Sequence, residues 1–465
     1  MTTPALKTPE TPPDDSFYQR HQKIYPRQTQ GVFTRLRRIS AWGLLGLFYL
    51  LPWLKWNGQQ LVLFDLPARK FHIFGMVFWP QDFVYLALML ILAALLLFFV
   101  TAVAGRVWCG YACPQTVWSE VFLWIEQWIE GDRPQQIKLD NSSWTREKIG
   151  KKAIKHALWL FFAMWTGLTF VGFFIPVEQL WFDLASGQIG GWALFWVLFY
   201  GFATYGNAGF LREQVCIYMC PYARFQSAMF DRDTLIISYD TKRGEPRGSR
   251  KRNQPRPDDR GDCIDCTLCV QVCPTGIDIR EGLQYQCIGC AACVDVCDSV
   301  MDKMGYARGL VRYSTENRMQ GKGSSRVVRP RTLIYAGLLL AITLGMLVSL
   351  GLRVPLEMDI IRDRNALYRD SGDGRIENTY ILKVLNMDRR PHEFEITVSG
   401  LEGAELLGVD GLSAAAGQVL DVPVRVVADP DRLTERSQTI RFHIQALDEP
   451  GLQQEEESRF IGPRR

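Results

Sequence analysis

Five long apolar runs, separated by charged stretches, dominate the pattern of hydrophobic and polar positions along this chain. They cover residues 39–56, 82–104, 157–175, 191–210 and 332–352, with Trp or Tyr near many of their ends. A helix needs about 20 predominantly apolar residues to cross roughly 30 Å of hydrocarbon, and aromatic rings favour the membrane interfaces. We therefore expect an α-helical transmembrane bundle of five spans. The first run follows a long polar arm without an evident cleavage site, so we expect it to remain as an anchor.

Lys and Arg are distributed unequally between the flanks of these runs, and such an excess marks the cytoplasmic side. The loop at residues 176–190 has two acidic residues and no Lys or Arg. Lys55, Arg69 and Lys70 lie between the first two runs and are a mild exception to this distribution. The basic flanks contain Arg27, Arg35, Arg37, Arg38, Arg133, Lys138, Arg146, Lys148, Lys151, Lys152 and Lys155. We expect the amino terminus and residues 212–331 inside and the C-terminal tail outside.

The C-terminal tail changes to the alternating pattern of β-strands. TYILKVLNM, HEFEITVSG, VLDVPVRVVA and QTIRFHIQAL alternate apolar and polar residues between Asp, Gly and Pro. The tail therefore predicts a small β-sandwich of about 100 residues, without the Cys pair of antibody domains. His392 and His443 are expected to be surface or packing residues, because a lone imidazole needs partner ligands to bind a metal. Binding a partner protein is the expected role of this domain.

All 12 Cys fall in short clusters, a pattern that indicates metal ligands or redox dithiols. Eight form two C-x2-C-x2-C-x3-C runs, the spacing of bacterial two-cluster ferredoxins, in which the fourth Cys of each run ligates the other [4Fe–4S] cluster. We expect an α+β two-cluster ferredoxin-like domain here. The predicted ligand sets are Cys263, Cys266, Cys269 and Cys297 for one cluster, and Cys287, Cys290, Cys293 and Cys273 for the other.

Zinc and disulfides are the alternatives for these eight residues. Zinc pairs are normally separated by a longer loop, and the inner side of the membrane is reducing, so both are disfavoured. Asp298 stands where the second run would usually have Pro. That difference puts the local geometry in doubt and hardly affects ligation.

The remaining four Cys form an internal repeat. Cys109 and Cys113, like Cys216 and Cys220, belong to a C-x3-C-P element that follows an apolar run. If the backbone is helical, both sulfurs of a pair share one face, and the Pro either begins a new helix or breaks the old one.

Paired soft thiolates suit binding of Cu(I) or a reversible dithiol/disulfide couple. The alternative without chemical function is that these cysteines only pack as small buried hydrophobic residues. Arg106 and Arg212 lie just upstream and either lower a thiol pKa or determine topology. Met219 either adds a thioether ligand or only packs.

The composition disfavours nucleic-acid binding, haem binding and nucleotide binding. Lys plus Arg total 53 and Asp plus Glu 49, a net charge of +4 that is too balanced to indicate nucleic-acid binding. Only His156 lies near a span, so a buried bis-His haem is not expected. No convincing Gly-rich nucleotide-binding motif is present either. Electrons must then come from a quinol, a flavoprotein or a ferredoxin.

The order of these elements resembles the accessory protein of cbb3-type cytochrome oxidase, the CcoG/FixG/RdxA family, over nearly the whole chain. The resemblance rests on the two C-x3-C-P elements, on CIDCTLCVQVCP and CIGCAACVDVC, and on the tail containing TYILKVLNMDRRPHEFEITVSGLEG. It implies a bacterial inner-membrane cupric reductase, which reduces Cu(II) to Cu(I) during assembly of the oxidase copper centre, and an Ig-like C-terminal domain.

By matching the motifs of this family, the resemblance implies that the eight ferredoxin-type Cys hold two [4Fe–4S] clusters. It also implies that the copper or redox thiols are Cys109, Cys113, Cys216 and Cys220. The implied partners are oxidase assembly factors and copper chaperones, and homo-oligomerisation is left open. The predicted domains are a cytoplasmic basic arm (1–38), a membrane domain with four spans (39–230), a cytoplasmic cluster domain (231–310), a basic linker with the fifth span (311–352) and a periplasmic sandwich (353–465).

Two other functions fit the same sequence. One is a quinol-oxidising polyferredoxin conduit that passes electrons to a separate reductase, and copper binding distinguishes it from the reductase. The other is a redox-sensing assembly scaffold with structural clusters, for which no turnover is expected.

Reporter fusions test the orientation. Because Lys and Arg favour the cytoplasmic side, an alkaline phosphatase fused after Leu352 should be active and one fused after Gly321 inactive. The reverse activities would contradict the orientation and the inside location of both thiol pairs.

Overall fold

The structure is a computed structural model that describes residues 23–56, 58–252, 257–323, 326–372, 374–388, 390–409 and 411–463. Residues 1–22 of the predicted basic arm lie outside these ranges. The chain divides into two compact units, each treated separately below. The first contains Met1–Arg69 and Met89–Leu340, and the second Lys70–Leu88 and Ala341–Arg465.

Fourteen α-helices and sixteen strands are present in the described ranges. The helices are α1 (Val32–Leu50), α2 (Phe83–Ala104), α3 (Val107–Tyr111), α4 (Pro114–Glu130), α5 (Arg133–Asn141), α6 (Arg146–Val171), α7 (Val177–Ala185), α8 (Gly191–Thr204), α9 (Pro221–Met229), α10 (Thr241–Gly244), α11 (Leu268–Gln271), α12 (Ala292–Met304), α13 (Glu316–Met319) and α14 (Pro330–Gly351). The strands are β1 (Lys55–Trp56), β2 (Gln59–Gln60), β3 (Val62–Asp65), β4 (Lys70–Ile73), β5 (Met76–Phe78), β6 (Ile236–Tyr239), β7 (Val311–Ser314), β8 (Leu356–Arg362), β9 (Arg369–Asp370), β10 (Ile376–Asn386), β11 (His392–Ser399), β12 (Glu405–Leu407), β13 (Leu412–Ala414), β14 (Val419–Ala428), β15 (Ser437–Ala446) and β16 (Gln453–Ile461).

Three helical segments in the described ranges are long and apolar enough to cross a membrane: Pro80–Ala104, Arg146–Val171 and Pro330–Gly351. The most apolar stretches of the first and third have no buried residues, as expected for side chains that contact lipid. The prediction of five spans is therefore not confirmed. The first expected span lies in α1, which begins early enough to include three Arg, and the fourth lies in α8, which has only 14 residues.

Close helix packing organises the membrane part of the first unit. α6 and α8 meet at Gly167 and Gly201, where a Cβ on Gly167 would lie 2.4 Å from the carbonyl oxygen of Val197. α4 packs beside α6 through the buried side chains of Phe122 and Trp159, and the Trp159 indole donates to the Phe122 carbonyl at 3.0 Å. Small residues at such contacts let two helix backbones approach closely.

The cluster segment of the first unit is built around one antiparallel strand pair. β6 and β7 pair from Ile236 opposite Ser314 to Tyr239 opposite Val311. Their buried faces pack against α12 and the first cysteine run, with Val294, Val300 and Met301 in the same core. This small α+β framework surrounds the cysteine runs with apolar side chains.

The C-terminal part of the second unit is a β-sandwich. One sheet has the order β12-β14-β10-β8, with β9 also paired to β10, and the other has the order β13-β11-β15-β16. Alternate residues of β10 and β14 face a core that includes the fully buried Tyr380, Phe442 and Phe460. The alternating sequence pattern thus corresponds to one buried and one exposed face on each sheet.

The two histidines of the sandwich have different environments. His443 is a surface residue beside Glu455, but His392 is only 2 % exposed and is not a lone imidazole. Its Nε2 lies 2.8 Å from an Asp388 oxygen, and its Nδ1 lies 2.9 Å from an Asp448 oxygen. Burial opposes protonation, but hydrogen bonds and charge attraction from the two carboxylates outweigh burial and raise the pKa of His392.

Because the pKa of His392 is raised, its stabilising effect should be complete below the ordinary histidine pKa and should be lost as pH rises through the raised value. Hydrogen exchange of the His392–Ser399 strand, corrected for intrinsic rates, should show less protection above that pH. His392→Gln should abolish the pH dependence, and His443→Gln is the control. Equal pH dependence in wild type and His392→Gln would contradict this assignment.

Candidate functional site

Four cysteines of the cluster segment line a first cavity, although they come from both runs. The cavity has apolar walls that include Leu268, Val300 and Leu310. Its cysteines are Cys263, Cys266, Cys269 and Cys297. They form the same set that the ferredoxin spacing predicts for one cluster.

A second cavity is lined by the other four cysteines of the runs. They are Cys273, Cys287, Cys290 and Cys293. Ile237, Ile277, Ile279 and Ile288 form its apolar wall, and Cys269 lies at the boundary with the first cavity because it lines both. The fourth cysteine of each run therefore lies with the first three of the other.

The two runs have the same backbone conformation. The residues before and after the second cysteine have positive φ, 52° and 56° at Asp265 and Thr267 in the first run, and 68° and 58° at Gly289 and Ala291 in the second. Non-glycine residues rarely adopt this conformation, and such strain clusters at binding sites. Here it turns the chain so that the third cysteine lies in the first turn of α11 or α12.

Asp298 changes only how the second run ends. It lies inside α12, which continues to Met304, and its carboxylate accepts from the Gly309 amide at 2.8 Å. A Pro would fit poorly inside this helix because it removes a backbone donor. Cys297 still reaches the first cavity.

The donor chemistry of both cavities fits iron–sulfur clusters. Burial raises the pKa of Cys269 to about 11 and that of Cys287 and Cys297 to about 12. Thiols with such pKa values stay protonated at neutral pH unless a metal replaces the proton. Four thiol groups around an apolar space are the ligand set that a [4Fe–4S] cluster requires.

Each C-x3-C-P element turns sharply at its second cysteine. Cys109 lies in α3, whereas Cys113 is extended and precedes α4, which begins at Pro114. Cys216 lies in a π-helical segment, Val215–Met219, and the extended Cys220 precedes α9, which begins at Pro221. The two cysteines of a pair therefore do not share one continuous helix face, and each Pro begins a new helix.

The two pairs come together although about a hundred residues separate them in sequence. Burial raises the pKa of Cys109 to about 11 and that of Cys216 to about 12, and neighbouring thiols of the group raise both further. In the described ranges, only Asp388, His392 and Glu449 form a group with three ligand atoms within 4.8 Å of one another. No three of the four sulfurs therefore lie within 4.8 Å of one another.

A buried amide accompanies this thiol group. The Cys109 thiol donates to Gln226 Oε1 at 3.4 Å, and Gln226 is fully buried. The Gln226 side chain also interacts with the Tyr222 hydroxyl. The amide therefore links Cys109 to Tyr222. Met219 is 61 % exposed and is not a packing residue of the core.

The first C-x3-C-P element packs directly on the second cysteine run. A Cβ on Gly110 would lie 2.9 Å from the Ile288 carbonyl oxygen and 3.0 Å from the Cys290 backbone. Cys109 joins the apolar cluster formed by Val272, Ile288 and Cys290. The thiol group and the second cavity are therefore adjacent.

Gly110 and Gln226 are the site residues that sequence reasoning did not identify. Gly110 is one of 39 glycines, and Gln226 is one residue of an amphipathic helix, so their types alone gave no signal. The position of Gln226 in the helix that follows the second cysteine pair offered a weak indication.

Comparison with known proteins supports iron–sulfur chemistry. Residues 211–316, which contain both cysteine runs, match a family described as "4Fe-4S dicluster domain". Residues 86–133, which contain Cys109 and Cys113 but neither run, match a "4Fe-4S binding domain". Residues 346–463 match "IG-like fold at C-terminal of FixG". The chain is therefore an iron–sulfur electron-transfer protein with apolar membrane-type helices and an Ig-like C-terminal domain.

Full-length relatives identify the family. Protein RdxB of Cereibacter sphaeroides is 41 % identical over 436 residues, covering 91 % of this chain and 89 % of the relative. Nitrogen fixation protein FixG of Rhizobium meliloti is 37 % identical over 455 residues, covering 90 % and 86 %. The chain belongs to the CcoG/FixG/RdxA family, which confirms the resemblance.

A solved structure also matches part of the chain. The FixG-related protein from Vibrio parahaemolyticus is 38 % identical, with a TM-score of 0.22, and the match covers 23 % of this chain and 95 % of that one.

Single substitutions test the exchange of the fourth cysteine between the runs. Cys273→Ser should damage the cluster of the second cavity, and Cys297→Ser that of the first, because serine is a poor iron ligand. Electron paramagnetic resonance of anaerobically purified protein should show a different cluster altered in each variant. Loss of the same cluster in both variants would contradict the assignment.

Proposed function

We propose that this protein reduces Cu(II) to Cu(I) during assembly of a cbb3-type oxidase. The observation that carries the proposal is the packing of Cys109 and Gly110 on the second cysteine run, because it places soft thiol donors beside an electron-carrier site. The reaction needs one electron for each copper ion and neither breaks nor forms a covalent bond to carbon. A protein that carries single electrons is suited to it.

The proposed site has two parts with separate tasks. The eight cysteines of the two cavities hold the [4Fe–4S] clusters, which supply one-electron carriers when bound. Cys109, Cys113, Cys216 and Cys220 bind the copper substrate. Thiolates favour the soft Cu(I) ion over Cu(II), so binding at these thiols makes reduction more favourable.

Burial of the four thiols supports selective copper binding. The raised pKa values of Cys109 and Cys216 mean that these thiols hold weakly bound cations poorly, whereas Cu(I) forms strong bonds to sulfur and displaces the protons. The site thus favours the product of the proposed reaction.

Localisation and partners follow from the same proposal. The protein lies in the bacterial inner membrane, with the amino terminus and the cluster domain in the cytoplasm and the Ig-like domain in the periplasm. A quinol, a flavoprotein or a ferredoxin donates electrons, and copper chaperones or oxidase assembly factors receive Cu(I).

A quinol-oxidising electron conduit is the second candidate, and a cavity favours it. An open cleft lies beside Cys216 and Ile288, with Gln115, Thr116 and Ser119 among its polar side chains. Its mixed polar and apolar lining suits a quinol head group. The conduit does not require copper at the thiols.

A variant with Ser in place of Cys109, Cys113, Cys216 and Cys220 distinguishes these functions. Because hydroxyl groups replace soft thiolates, we expect bound copper to be lost and Cu(II) reduction to slow at least tenfold, with iron and sulfide unchanged. Metal analysis and an anaerobic Cu(II) reduction assay measure these quantities. Tyr218→Phe, inside the second C-x3-C-P element, is the matched control.

Two outcomes assign the thiols differently. Wild-type copper binding by the four-Ser variant would remove these residues from copper chemistry and favour the conduit. Variants that lack one pair show whether the pairs act together: a shared site loses nearly all copper with either pair, whereas independent sites lose about half each.

A further inference from the structure

Arg106 is a buried cation whose hydrogen bonds all go to neutral acceptors. It is 7 % exposed, and its guanidinium donates to the carbonyl oxygens of Tyr285, Cys287 and Ala223. No carboxylate lies within ion-pair distance of it in the part of the chain that the structure describes. A buried charge without a counter-ion is costly, so a structure that retains one normally supplies an anion.

The surroundings of Arg106 indicate where that anion lies. Cys287 begins the second cysteine run, Tyr285 lies two residues before it, Ala223 belongs to α9, and the Tyr285 ring centroid lies 5.1 Å from the guanidinium. A Cβ on Gly289 of the second run would lie 3.1 Å from the Arg106 backbone, and Cys109 lies three residues after Arg106. Arg106 therefore lies between the second cysteine run and the C-x3-C-P elements.

Three other arginines near the cysteines have carboxylate partners. Arg212, which precedes the second C-x3-C-P element as Arg106 precedes the first, lies 2.6 Å from Glu126. Arg280, beside the first cavity, pairs with Asp278 at 2.6 Å and also with Asp265. Arg37, near the second cavity, pairs with Glu120 at 3.1 Å. Arg106 is the arginine among these four that keeps an uncompensated positive charge.

We propose that Arg106 is the counter-ion of the cluster site formed by Cys273, Cys287, Cys290 and Cys293, and that it raises the reduction potential of this site above that of the first. Four thiolates outweigh the positive charge of an iron–sulfur core, so the site is anionic and becomes more so on reduction. A fixed positive charge in a dry environment favours the reduced state, and local charge is one of the determinants of cluster potential.

The first cavity has no uncompensated positive charge of this kind, because Asp278 and Asp265 neutralise the charge of Arg280. Cys266, at the first cavity, is exposed, whereas the second cavity adjoins the thiol group. Electron transfer from the exposed side toward the thiols is then downhill. Arg106 acts by placing a positive charge beside the second cluster site. The inference holds whether copper or another acceptor receives the electron.

Redox titration of full-length protein, purified anaerobically in detergent and monitored by electron paramagnetic resonance, tests the proposal. In wild type, the higher-potential signal should be the one altered by Cys287→Ser. Arg106→Gln should lower that potential by at least a tenfold change in the reduction equilibrium, about 59 mV for a one-electron couple. The other potential should stay unchanged, and Arg106→Lys should keep most of the wild-type value.

The matched control removes the equivalent arginine together with its partner. The double variant Arg212→Gln, Glu126→Gln deletes a paired charge and should leave both potentials unchanged. Equal potentials in wild type and Arg106→Gln at full iron content would overturn the proposal, as would a higher-potential signal altered by Cys297→Ser. If Arg106→Gln loses iron, the order of the wild-type potentials and the Arg106→Lys variant still decide the question.

Discussion

The contact between α3 and the second cysteine run depends on the absence of a side chain at Gly110. With backbone atoms only 2.9–3.0 Å from where its Cβ would lie, any larger residue would push α3 away from Ile288 and Cys290. That displacement would separate Cys109 from the second cavity and Arg106 from its carbonyl acceptors. The adjacency of the thiol group and the cluster site therefore depends on van der Waals contact at a single position.

Electrostatics then distinguishes parts that have similar sequences. The two C-x3-C-P elements each follow an arginine and each end where a helix begins with Pro, yet only Arg212 has a buried carboxylate partner. Burial acts to raise the pKa of Glu126, but attraction to three cations and a hydrogen bond from Arg212 outweigh burial and lower that pKa to about 2, so this carboxylate stays charged. The duplicated sequence has thus produced one neutralised and one uncompensated guanidinium.

Burial of cysteine thiols has the same consequence in the two cavities and in the C-x3-C-P group. Burial raises the pKa of Cys287 and Cys297 in the cavities and of Cys109 and Cys216 in the C-x3-C-P group. Each site therefore gains most from ions or clusters that bind sulfur strongly enough to displace protons. The sandwich contains no cysteine, and its polar group at His392 is satisfied by nearby carboxylates.

The sequence by itself determined the features that depend on local spacing: the cysteine runs, the alternating strands of the sandwich, the long apolar helices at Pro80–Ala104 and Pro330–Gly351, and the family. Helix limits were less predictable, because α1 continues through its arginines and α8 gives way to a π-helical segment at Tyr205. Only the tertiary structure decided the partners of Arg106, Arg212, Gln226 and His392. Those partners are distant in the chain, and charge pairing and burial depend on contacts that sequence spacing does not encode.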